Sequence, residues 1–373
     1  MKRLLLPVLA ALALASSAAA AGPPPTDASA LLVVNGRTGE VLASRNAHAY
    51  VPIASITKLM TVLVALEHVK LTDVVSVQPS AAGVGESTIN LEPGEQVTVH
   101  DLVEGALIQS ANDAAYALAA YAGGGDVGGF VREMNQKARE LHLRDTHFVR
   151  PDGLDAPEEH SSAADVTRLA RIAMRQPAIR DVVHLRTDTI AGGRVLHTWN
   201  DLLGTFPGVI GVKTGHTGAA GWCEVAAVRK PGLTVYATIL GSPSRDRRNA
   251  DLTALLRWGL SRYRVASVIT HGRTYALAET GYGRAPLKLV AASTARHAFR
   301  VDRPVTARII AASSVHLPVH KGDRLGVMRV FDGKRLLVTR PLVAARSVDR
   351  PTLPARVAFY ARRTVKHVWS WLT

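Results

Sequence analysis

The sequence contains a single cysteine, few aromatic residues and a deficit of acidic residues. Among its 373 residues, 5% are aromatic, and 30 Asp and Glu stand against 45 Lys and Arg. With Cys223 alone the chain cannot form an internal disulfide, which excludes a small disulfide-stabilised scaffold. Hydrophobic residues nevertheless reach 47%, so we expect an ordered protein of two or three domains.

The sequence also lacks, after residue 21, any run of about 20 apolar residues, the length that a membrane-spanning helix needs. Residues 1–21 have the pattern of a secretory signal peptide, with Lys2 and Arg3, then an apolar run, then small residues. We therefore predict an exported protein whose attachment to a membrane must lie on its surface. The formal net charge of +15 predicts anionic partners such as phospholipid headgroups or acidic wall polymers, whereas export argues against nucleic acid.

Patterning after the signal predicts an α/β domain over residues 28–263. Residues 31–34 and 40–43 flank an Asn-Gly-Arg-Thr-Gly turn and predict a hairpin, and residues 55–69 are apolar on nearly every side, as in a fully buried helix. Further predicted helices and strands cover residues 99–122, 127–143, 163–174 and 249–263, and residues 209–214, 222–228 and 233–240. Strands at both ends with helices between them favour a mainly antiparallel sheet covered by helices.

Residues 265–347 predict a separate small all-β domain. Its clearest signal is a hairpin in which residues 325–330 and 336–338 are joined across Asp332-Gly333. Residues 351–373 predict an amphipathic helix with four Arg or Lys and no acid. Residues at helical spacing form its apolar stripe: Val357, Tyr360, Thr364, Val368 and Leu372. We expect this helix to bind an anionic membrane surface; a helix docked on the β domain is the alternative.

Ser55 and Lys58 form a candidate catalytic pair, in the sequence Ser-Ile-Thr-Lys at the start of the buried helix. A spacing of three residues on a helix places the hydroxyl and the amine on one face. A serine hydroxyl becomes a nucleophile when a base takes its proton, and burial can lower the pKa of a lysine until it serves as that base. Alone the motif is weak, because a helix cap followed by a solvated lysine has the same sequence.

Two triplets add to this pair. Ser-Ala-Asn at residues 110–112 stands at the entry to an Ala-rich helix, where by itself it is an ordinary cap. Lys-Thr-Gly at residues 213–215 ends a predicted strand and presents a cation and a hydroxyl, with a glycine that lets another backbone approach closely. Arg-Thr-Gly at residues 37–39 has nearly the same chemistry but lies in the predicted hairpin turn. A single triplet of this kind is therefore weak evidence for a functional site.

Together the three motifs match the Ser-x-x-Lys, Ser-x-Asn and Lys-Thr-Gly set of penicillin-binding proteins and serine β-lactamases. Residues 52–61 (PIASITKLMT), 110–115 (SANDAA) and 208–217 (GVIGVKTGHT) resemble the low-molecular-mass D-alanyl-D-alanine carboxypeptidases of peptidase family S11. So do Asp-Gly-Leu at 152–154 and His-Ser-Ser-Ala at 160–163. The resemblance implies a serine β-lactamase/DD-peptidase-like transpeptidase domain, followed by that family's β-rich domain and amphipathic anchor. One departure is Ala111, where glycine is common in the family.

The resemblance assigns three residues to the chemistry. It implies that Ser55 is the acylated nucleophile, Lys58 its general base, and Ser110 a proton relay toward the leaving amine. Backbone N–H groups of Ser55 and His216 would form the oxyanion hole, where preorganised donors contribute roughly 3 to 4 kcal/mol each.

The remaining residues of the motifs would bind the substrate. By resemblance, Asn112 holds its peptide amide, Lys213 and Thr214 bind its terminal carboxylate, and Arg248 is a second carboxylate-binding position. Gly215 and His216 also belong to the substrate-binding residues. Cationic partners suit a substrate that ends in a free carboxylate.

The resemblance implies a serine-type carboxypeptidase that removes the terminal D-alanine from peptidoglycan stem pentapeptides, binds β-lactams and needs no cofactor or metal. Its expected location is the outer, periplasmic face of the cytoplasmic membrane. A class A β-lactamase would also need a Glu-x-x-Leu-Asn-type segment, which is absent between Ser110 and Lys213. The alternatives left open are a DD-endopeptidase that cuts crosslinks and a non-catalytic wall-binding protein, although the latter has no use for a nucleophile and a base.

Other conspicuous residues have plainer interpretations. Fourteen histidines are scattered without a cysteine partner, so we expect no metal site. Cys223 lies in an apolar strand and is predicted to be a small buried hydrophobe. Glu158 and Glu159 are predicted to be solvated loop acids.

Overall fold

The computed structural model describes residues 8–10 and 22–372. The predicted signal peptide, residues 1–21, lies outside the described residues apart from Val8–Ala10, which form a short strand. The chain divides into two compact units that separate between Ser261 and Arg262.

A five-stranded antiparallel sheet runs through the unit that ends at Ser261. Its strands are β1 (Ala30–Asn35), β2 (Val41–Arg45), β3 (Val209–Thr217), β4 (Gly221–Lys230) and β5 (Leu233–Ser242). They lie in the order β2-β1-β5-β4-β3, and each neighbouring pair is antiparallel. The sheet thus joins the start of this unit to its end, as the strand pattern predicted. The predicted hairpin is also confirmed, with Asn35 Oδ1 accepting hydrogen bonds from the backbone N–H groups of its turn.

Helices fill the segment between the two groups of strands. The main ones are α1 (Lys58–His68), α2 (Val99–Glu104), α3 (Asn112–Ala122), α4 (Val127–Glu140), α5 (Ala163–Ala173) and, after the sheet, α6 (Arg245–Ser261). Shorter elements are the helices Pro79–Ala82 and Pro177–Arg180, the 3-10 turns Ala54–Thr57 and Ala191–Gly193, and the paired strands Val74–Ser76 with Gln96–Thr98 and Thr187–Thr189 with Val195–His197. Every residue of α1 from Lys58 to Ala65 is buried, which confirms the buried helix that the apolar pattern predicted.

Two predicted helices have different bounds in the structure. The helix predicted over residues 99–122 is interrupted, because a π-helical turn, Gly105–Gln109, ends at Ser110 in the left-handed conformation (φ 65°, ψ 30°). The Ala-rich pattern continues across this break, so periodicity alone could not reveal it. The helix predicted over residues 249–263 begins instead at Arg245, since Ser244 Oγ accepts the N–H of Arg247 at 3.1 Å. It ends before Tyr263, which starts a strand.

The unit after Ser261 is built mainly from β-strands. They are β6 (Tyr263–Ile269), β7 (Thr274–Ala278), β8 (Leu287–Ala291), β9 (Ala295–Arg300), β10 (Val305–Ala311), β11 (Arg324–Asp332) and β12 (Arg335–Ala344). One sheet has the order Val8–Ala10, β10, β11, β12, β8, β7, and β6 pairs with β9. The β11–β12 hairpin across Asp332-Gly333 is confirmed. Helix α7 (Leu353–Leu372) follows, and no described helix of the chain is both long and apolar enough to cross a bilayer.

Candidate active site

Ser55 and Lys58 are in direct contact. Ser55 lies in the 3-10 turn Ala54–Thr57, and Lys58 is the first residue of α1. The Nζ atom of Lys58 lies 2.7 Å from Ser55 Oγ, and also 2.7 Å from Asn112 Oδ1 and from the backbone carbonyl oxygen of Asp152. The amine is fully buried. Among the described residues, its hydrogen-bond partners are these three oxygens.

The protonation state of Lys58 follows from this burial. Removal from water lowers the pKa of Lys58 to about 7, although the nearby carboxylates of Asp152 and Glu159 oppose the shift. A neutral amine has two N–H groups and one lone pair. When its N–H groups donate to Asn112 Oδ1 and to the Asp152 carbonyl, the lone pair remains for the hydroxyl hydrogen of Ser55.

Ser110 and Lys213 form a second hydroxyl–amine pair. The Nζ atom of Lys213 donates to Ser110 Oγ at 2.8 Å and to the backbone carbonyl of Thr214 at 3.0 Å. Lys213 is 2% exposed, and burial together with the nearby Lys58 amine lowers the pKa of Lys213 well below its ordinary value. The left-handed turn at Ser110 is what separates this serine from the helix that precedes it.

Gly215 allows β3 to lie against the Ser55 turn. A Cβ atom at Gly215 would lie 2.7 Å from the carbonyl oxygen of Ile53 and 3.0 Å from the backbone nitrogen of Ser55. Any larger residue would push the strand away from this turn. The next residue, His216, packs its ring on Trp222 with a centroid separation of 4.1 Å.

Arg248 lies in the first turns of α6 rather than before that helix, which corrects the predicted helix start. Its side chain is 1% exposed. Nη2 donates to Asp201 Oδ2 at 3.0 Å and to Asn249 Oδ1 at 2.8 Å, and Nε lies 3.1 Å from Glu224 Oε2. The guanidinium also stands over the ring of Trp222, at 5.6 Å from its centroid.

One cleft of about 230 Å³ is lined by seven of the nine residues that the motifs singled out. These residues are Ser55, Ser110, Asn112, Thr214, Gly215, His216 and Arg248. Lys58 and Lys213 do not line the cleft, and each is buried behind a lining serine to which it is hydrogen-bonded. A buried base beside a hydroxyl and a cation on the same cleft suit acyl transfer on an anionic substrate.

Sequence reasoning missed part of the cleft lining. Leu154, Trp199 and Trp222 line it, together with Glu86 and Ser87. Only five tryptophans occur in the chain, so the scarcity of this residue type was a signal that could have singled out two of them. Trp199 is held there because its Nε1 donates to the backbone carbonyl of Gln109 at 3.0 Å.

The buried Glu224 was also missed, and the interpretation of Glu159 as a solvated acid is wrong, because its side chain is half-buried. Glu159 Oε1 accepts the hydroxyl hydrogen of Thr57 at 3.1 Å, and burial raises the pKa of Glu159 to about 7. Glu224 lies on β4 opposite Thr214, is fully buried, and burial raises its pKa to about 7 as well. A charged residue within the apolar run 223–228 was a readable signal for Glu224. The neighbouring Cys223 is buried with a pKa raised to about 12, as predicted for a small hydrophobe.

Among the described residues, one group of side chains has the spacing of cation ligands: His100, Asp101 and Glu104. None of the three lines the cleft. The side chains at the cleft are instead held in position by hydrogen bonds to other side chains and to backbone groups of the protein.

The chain is similar to known carboxypeptidases in sequence and in fold. The peptidase S11 family model, described as D-alanyl-D-alanine carboxypeptidase, matches residues 17–244. D-alanyl-D-alanine carboxypeptidase DacF of Bacillus subtilis is 30% identical over 87% of this chain and 86% of its own length. The crystal structure of penicillin-binding protein 5 from Haemophilus influenzae matches with a TM-score of 0.65 and 25% identity, over 88% of this chain and 100% of that chain. The crystal structure of DacD from Francisella tularensis matches with a TM-score of 0.64 and 25% identity, over 91% of this chain and 98% of that chain. Both confirm the predicted fold class. Since the family model covers more than half of the residues and the similarity continues through both units, the chain belongs to the D-alanyl-D-alanine carboxypeptidase family of serine peptidases.

Proposed function

We propose that this carboxypeptidase removes the terminal D-alanine from peptidoglycan stem pentapeptides through an acyl-enzyme on Ser55. The observation that carries the proposal is the buried Lys58 amine, 2.7 Å from Ser55 Oγ, with its pKa lowered to about 7. An amine that is about half neutral near pH 7 can take the serine proton as the new bond forms.

The reaction then has two halves. Ser55 Oγ attacks the carbonyl carbon of the penultimate D-alanine while its proton passes to Lys58, and the backbone N–H groups of Ser55 and His216 hold the oxyanion. As the C–N bond breaks, Ser110 passes its proton to the leaving amine and is reprotonated by the Lys58 ammonium, and D-alanine departs, leaving Lys58 neutral again. In the second half Lys58 takes a proton from the water whose oxygen adds to the ester carbonyl, and it returns that proton to Ser55 Oγ as the ester C–O bond breaks. General base catalysis contributes roughly 10²–10⁴-fold in such steps.

The remaining cleft residues suit the two ends of such a substrate. Asn112 has its Nδ2 bound to the backbone carbonyl of Gly85 at 2.9 Å and its Oδ1 to Lys58, so its amide is fixed where the substrate's peptide bond would lie. Thr214 and Arg248, which line the cleft, would receive the terminal carboxylate, and Lys213 would support them from behind Ser110, to which it donates a hydrogen bond. β-Lactams carry both an acyl group and a carboxylate, so they would acylate Ser55 and inhibit the enzyme.

One experiment tests the proposed function against its alternatives. The purified protein is incubated with a stem pentapeptide and, separately, with a crosslinked dimer, and the products are identified by mass spectrometry. Loss of one alanine from the pentapeptide, with the dimer intact, is the expected result. Cleavage of the dimer alone would establish the DD-endopeptidase, and no product from either substrate would favour a wall-binding protein.

Replacing Arg248 by glutamine is expected to lower kcat/KM for a peptide with a free terminal carboxylate about 100-fold, because a charge-assisted contact is lost. The same peptide with an amidated C-terminus should lose far less. Steady-state kinetics on the two peptides measure the difference. Arg245→Gln is the matched control, since Arg245 also binds Asp201 but is half-exposed; equal losses on both peptides in Arg248→Gln would contradict the carboxylate role.

We further propose that the protein is exported and held at the outer face of the cytoplasmic membrane by residues 351–373. Leu353, Val357, Val365 and Trp369 of α7 are exposed, with Val357 67% and Trp369 67% accessible. Phe359, on a different side of the helix, packs edge-on against Tyr282 at 5.7 Å. Tyr360 of the apolar stripe also lies edge-on to Tyr282, with ring centroids 6.2 Å apart, and is 52% exposed. The exposed apolar side chains of Leu353, Val357 and Val365 support binding to a membrane surface. The side chains of Val368 and Leu372, which complete the predicted stripe, lie outside the described residues.

Truncation after Arg350 is expected to abolish binding to vesicles that contain anionic lipid, because it removes the apolar stripe and four basic residues worth about 1 kcal/mol each near such a surface. Turnover of a soluble pentapeptide should stay unchanged. Vesicle sedimentation at low and high salt measures the loss. Undiminished binding by the truncated protein would refute the anchor and assign binding to the basic surface of the remaining chain.

A further inference from the structure

Glu224 places a buried carboxyl group directly behind the candidate carboxylate-binding cation. It lies on β4 opposite Thr214 of β3, and its side chain is fully buried. Oε2 lies 3.1 Å from Nε of Arg248, yet neither carboxylate oxygen accepts a hydrogen bond from any described residue. An ionised carboxylate held in this way is costly, because it has lost its hydration without gaining donors.

The charges that face Glu224 come from three elements. Arg248 and Arg245 belong to α6, Lys213 belongs to β3, and Asp201 lies in the turn before β3. Arg245 is already engaged by Asp201, with two hydrogen bonds of 2.8 and 2.6 Å. If Glu224 is ionised and Lys213 neutral, the two arginines are balanced by the two acids. The site then has no surplus positive charge to offer a second buried anion.

We propose that Glu224 makes recognition of the substrate's terminal carboxylate proton-coupled, with the carboxylate binding when Glu224 is protonated and being repelled when Glu224 is ionised. This inference rests on the carboxylate role that Arg248 has in the proposed function. The proton comes from solvent and adds to a carboxylate oxygen of Glu224, which becomes a neutral carboxylic acid. It returns to solvent when the anion leaves. Glu224 does not touch the substrate in this scheme and acts as a positioning residue through Arg248.

The direction in which pH changes the affinity for the carboxylate follows from the burial of Glu224 and from the charges near it. Burial raises the pKa of Glu224 to about 7, and Arg248 is the largest influence that opposes the rise. A substrate carboxylate that shares Arg248 would weaken this opposition and favour the protonated form further. Affinity for a free carboxylate should therefore fall as the pH rises above neutrality, whereas affinity for an amidated peptide should not.

The test compares the wild-type enzyme with Glu224→Gln, which keeps the shape of the side chain and cannot ionise. KM is measured from about pH 6 to about pH 9 for a peptide with a free terminal carboxylate and for its amide. In the wild type, KM for the free acid should approach a tenfold rise per pH unit above neutrality, and in Glu224→Gln it should stay flat. Glu104→Gln is the matched control, because Glu104 is also buried with a pKa raised to about 7, but its charged neighbours are Asp188, Asp101 and His100 rather than Arg248; it should follow the wild type.

Calorimetry separates Glu224 from Lys213 as the group that takes up the proton. Binding of the free-acid peptide is measured in the Ser55→Ala background, which cannot turn it over, in two buffers of different ionisation enthalpy. Proton uptake above neutral pH that disappears in Glu224→Gln supports the proposal. Uptake that persists in Glu224→Gln overturns it and assigns the proton to one of the buried lysines, Lys213 or Lys58.

Two further outcomes are decisive. If Glu224→Gln turns over the amide as the wild type does but keeps the pH profile for the free acid, the inference is wrong while the carboxylate role of Arg248 stands. If the wild type does not distinguish the acid from the amide at any pH, both fail. Should Glu224→Gln be poorly folded, Glu224→Leu removes the titrating group with an apolar side chain of similar size, and the same flat profile is expected.

Discussion

Ser55→Ala is expected to lower turnover of a stem pentapeptide by about 10⁶-fold, the scale seen when a serine nucleophile is removed from another peptidase. Without Oγ no atom remains at this position that can be acylated, so the covalent route is lost. The fold should survive, because the buried Lys58 amine keeps Asn112 Oδ1 and the Asp152 carbonyl as acceptors, each at 2.7 Å. Product formation by mass spectrometry and the circular dichroism spectrum measure the two parts of this prediction.

Ser76→Ala is the matched control, since Ser76 is an exposed serine on a short strand of the same unit. It should behave as the wild type in both assays. A Ser55→Ala protein that folds and still releases D-alanine at more than a trace rate would contradict the assignment of the nucleophile.

Lys58→Met is expected to lower kcat/KM about 10⁴-fold, the upper end of the range for a lost general base. Methionine has a similar length and suits the fully buried site. It leaves Asn112 Oδ1 and the Asp152 carbonyl without their donor, so a loss of stability of roughly 1–3 kcal/mol for each unsatisfied acceptor is expected as well. The rate of acylation by penicillin, measured on folded protein, separates the catalytic effect from the structural one.

The pH dependence has a direction that follows from the same residue. Only neutral Lys58 can take the serine proton, and its pKa is lowered to about 7. Below that pH the protonated fraction rises, so kcat/KM should fall toward tenfold per pH unit. An amidated peptide is used, because it removes the contribution of Glu224. Lys70→Met, at an exposed lysine, should keep the wild-type profile; an unchanged rate well below pH 7 would show that Lys58 is not the base.

Local spacing was enough to predict the Ser55–Lys58 pair, because three residues on a helical turn bring two side chains together whatever the rest of the chain does. The order of the three motifs, each on the expected type of element, was enough for the family. The positions of β3, β4 and β5 followed from short apolar runs between turn residues, although each strand extends beyond the predicted run. In each case the information lies within a few neighbouring residues.

Features that depend on distant parts of the chain were not predictable in this way. The left-handed conformation of Ser110 was not predicted, although Gly105 and the cap signal at residues 110–112 stand beside it. Glu159 lies in a polar loop whose sequence predicts solvent exposure. Only the tertiary fold brings it beside Thr57, with which it forms a hydrogen bond. The contact of Glu224 with Arg248 requires the antiparallel pairing of β3 with β4 and the position of α6 on the sheet. Tertiary placement, rather than sequence pattern, decides these contacts.

The most direct test of the central claim is to locate the acylated residue. Wild-type enzyme is incubated with penicillin, digested, and its peptides are sequenced by mass spectrometry. We expect one penicilloyl adduct, on the peptide that contains Ser55, and none in Ser55→Ala. An adduct on Ser110 or on any other residue, or none on the folded wild-type protein, would contradict the account of Ser55 as nucleophile and Lys58 as its base.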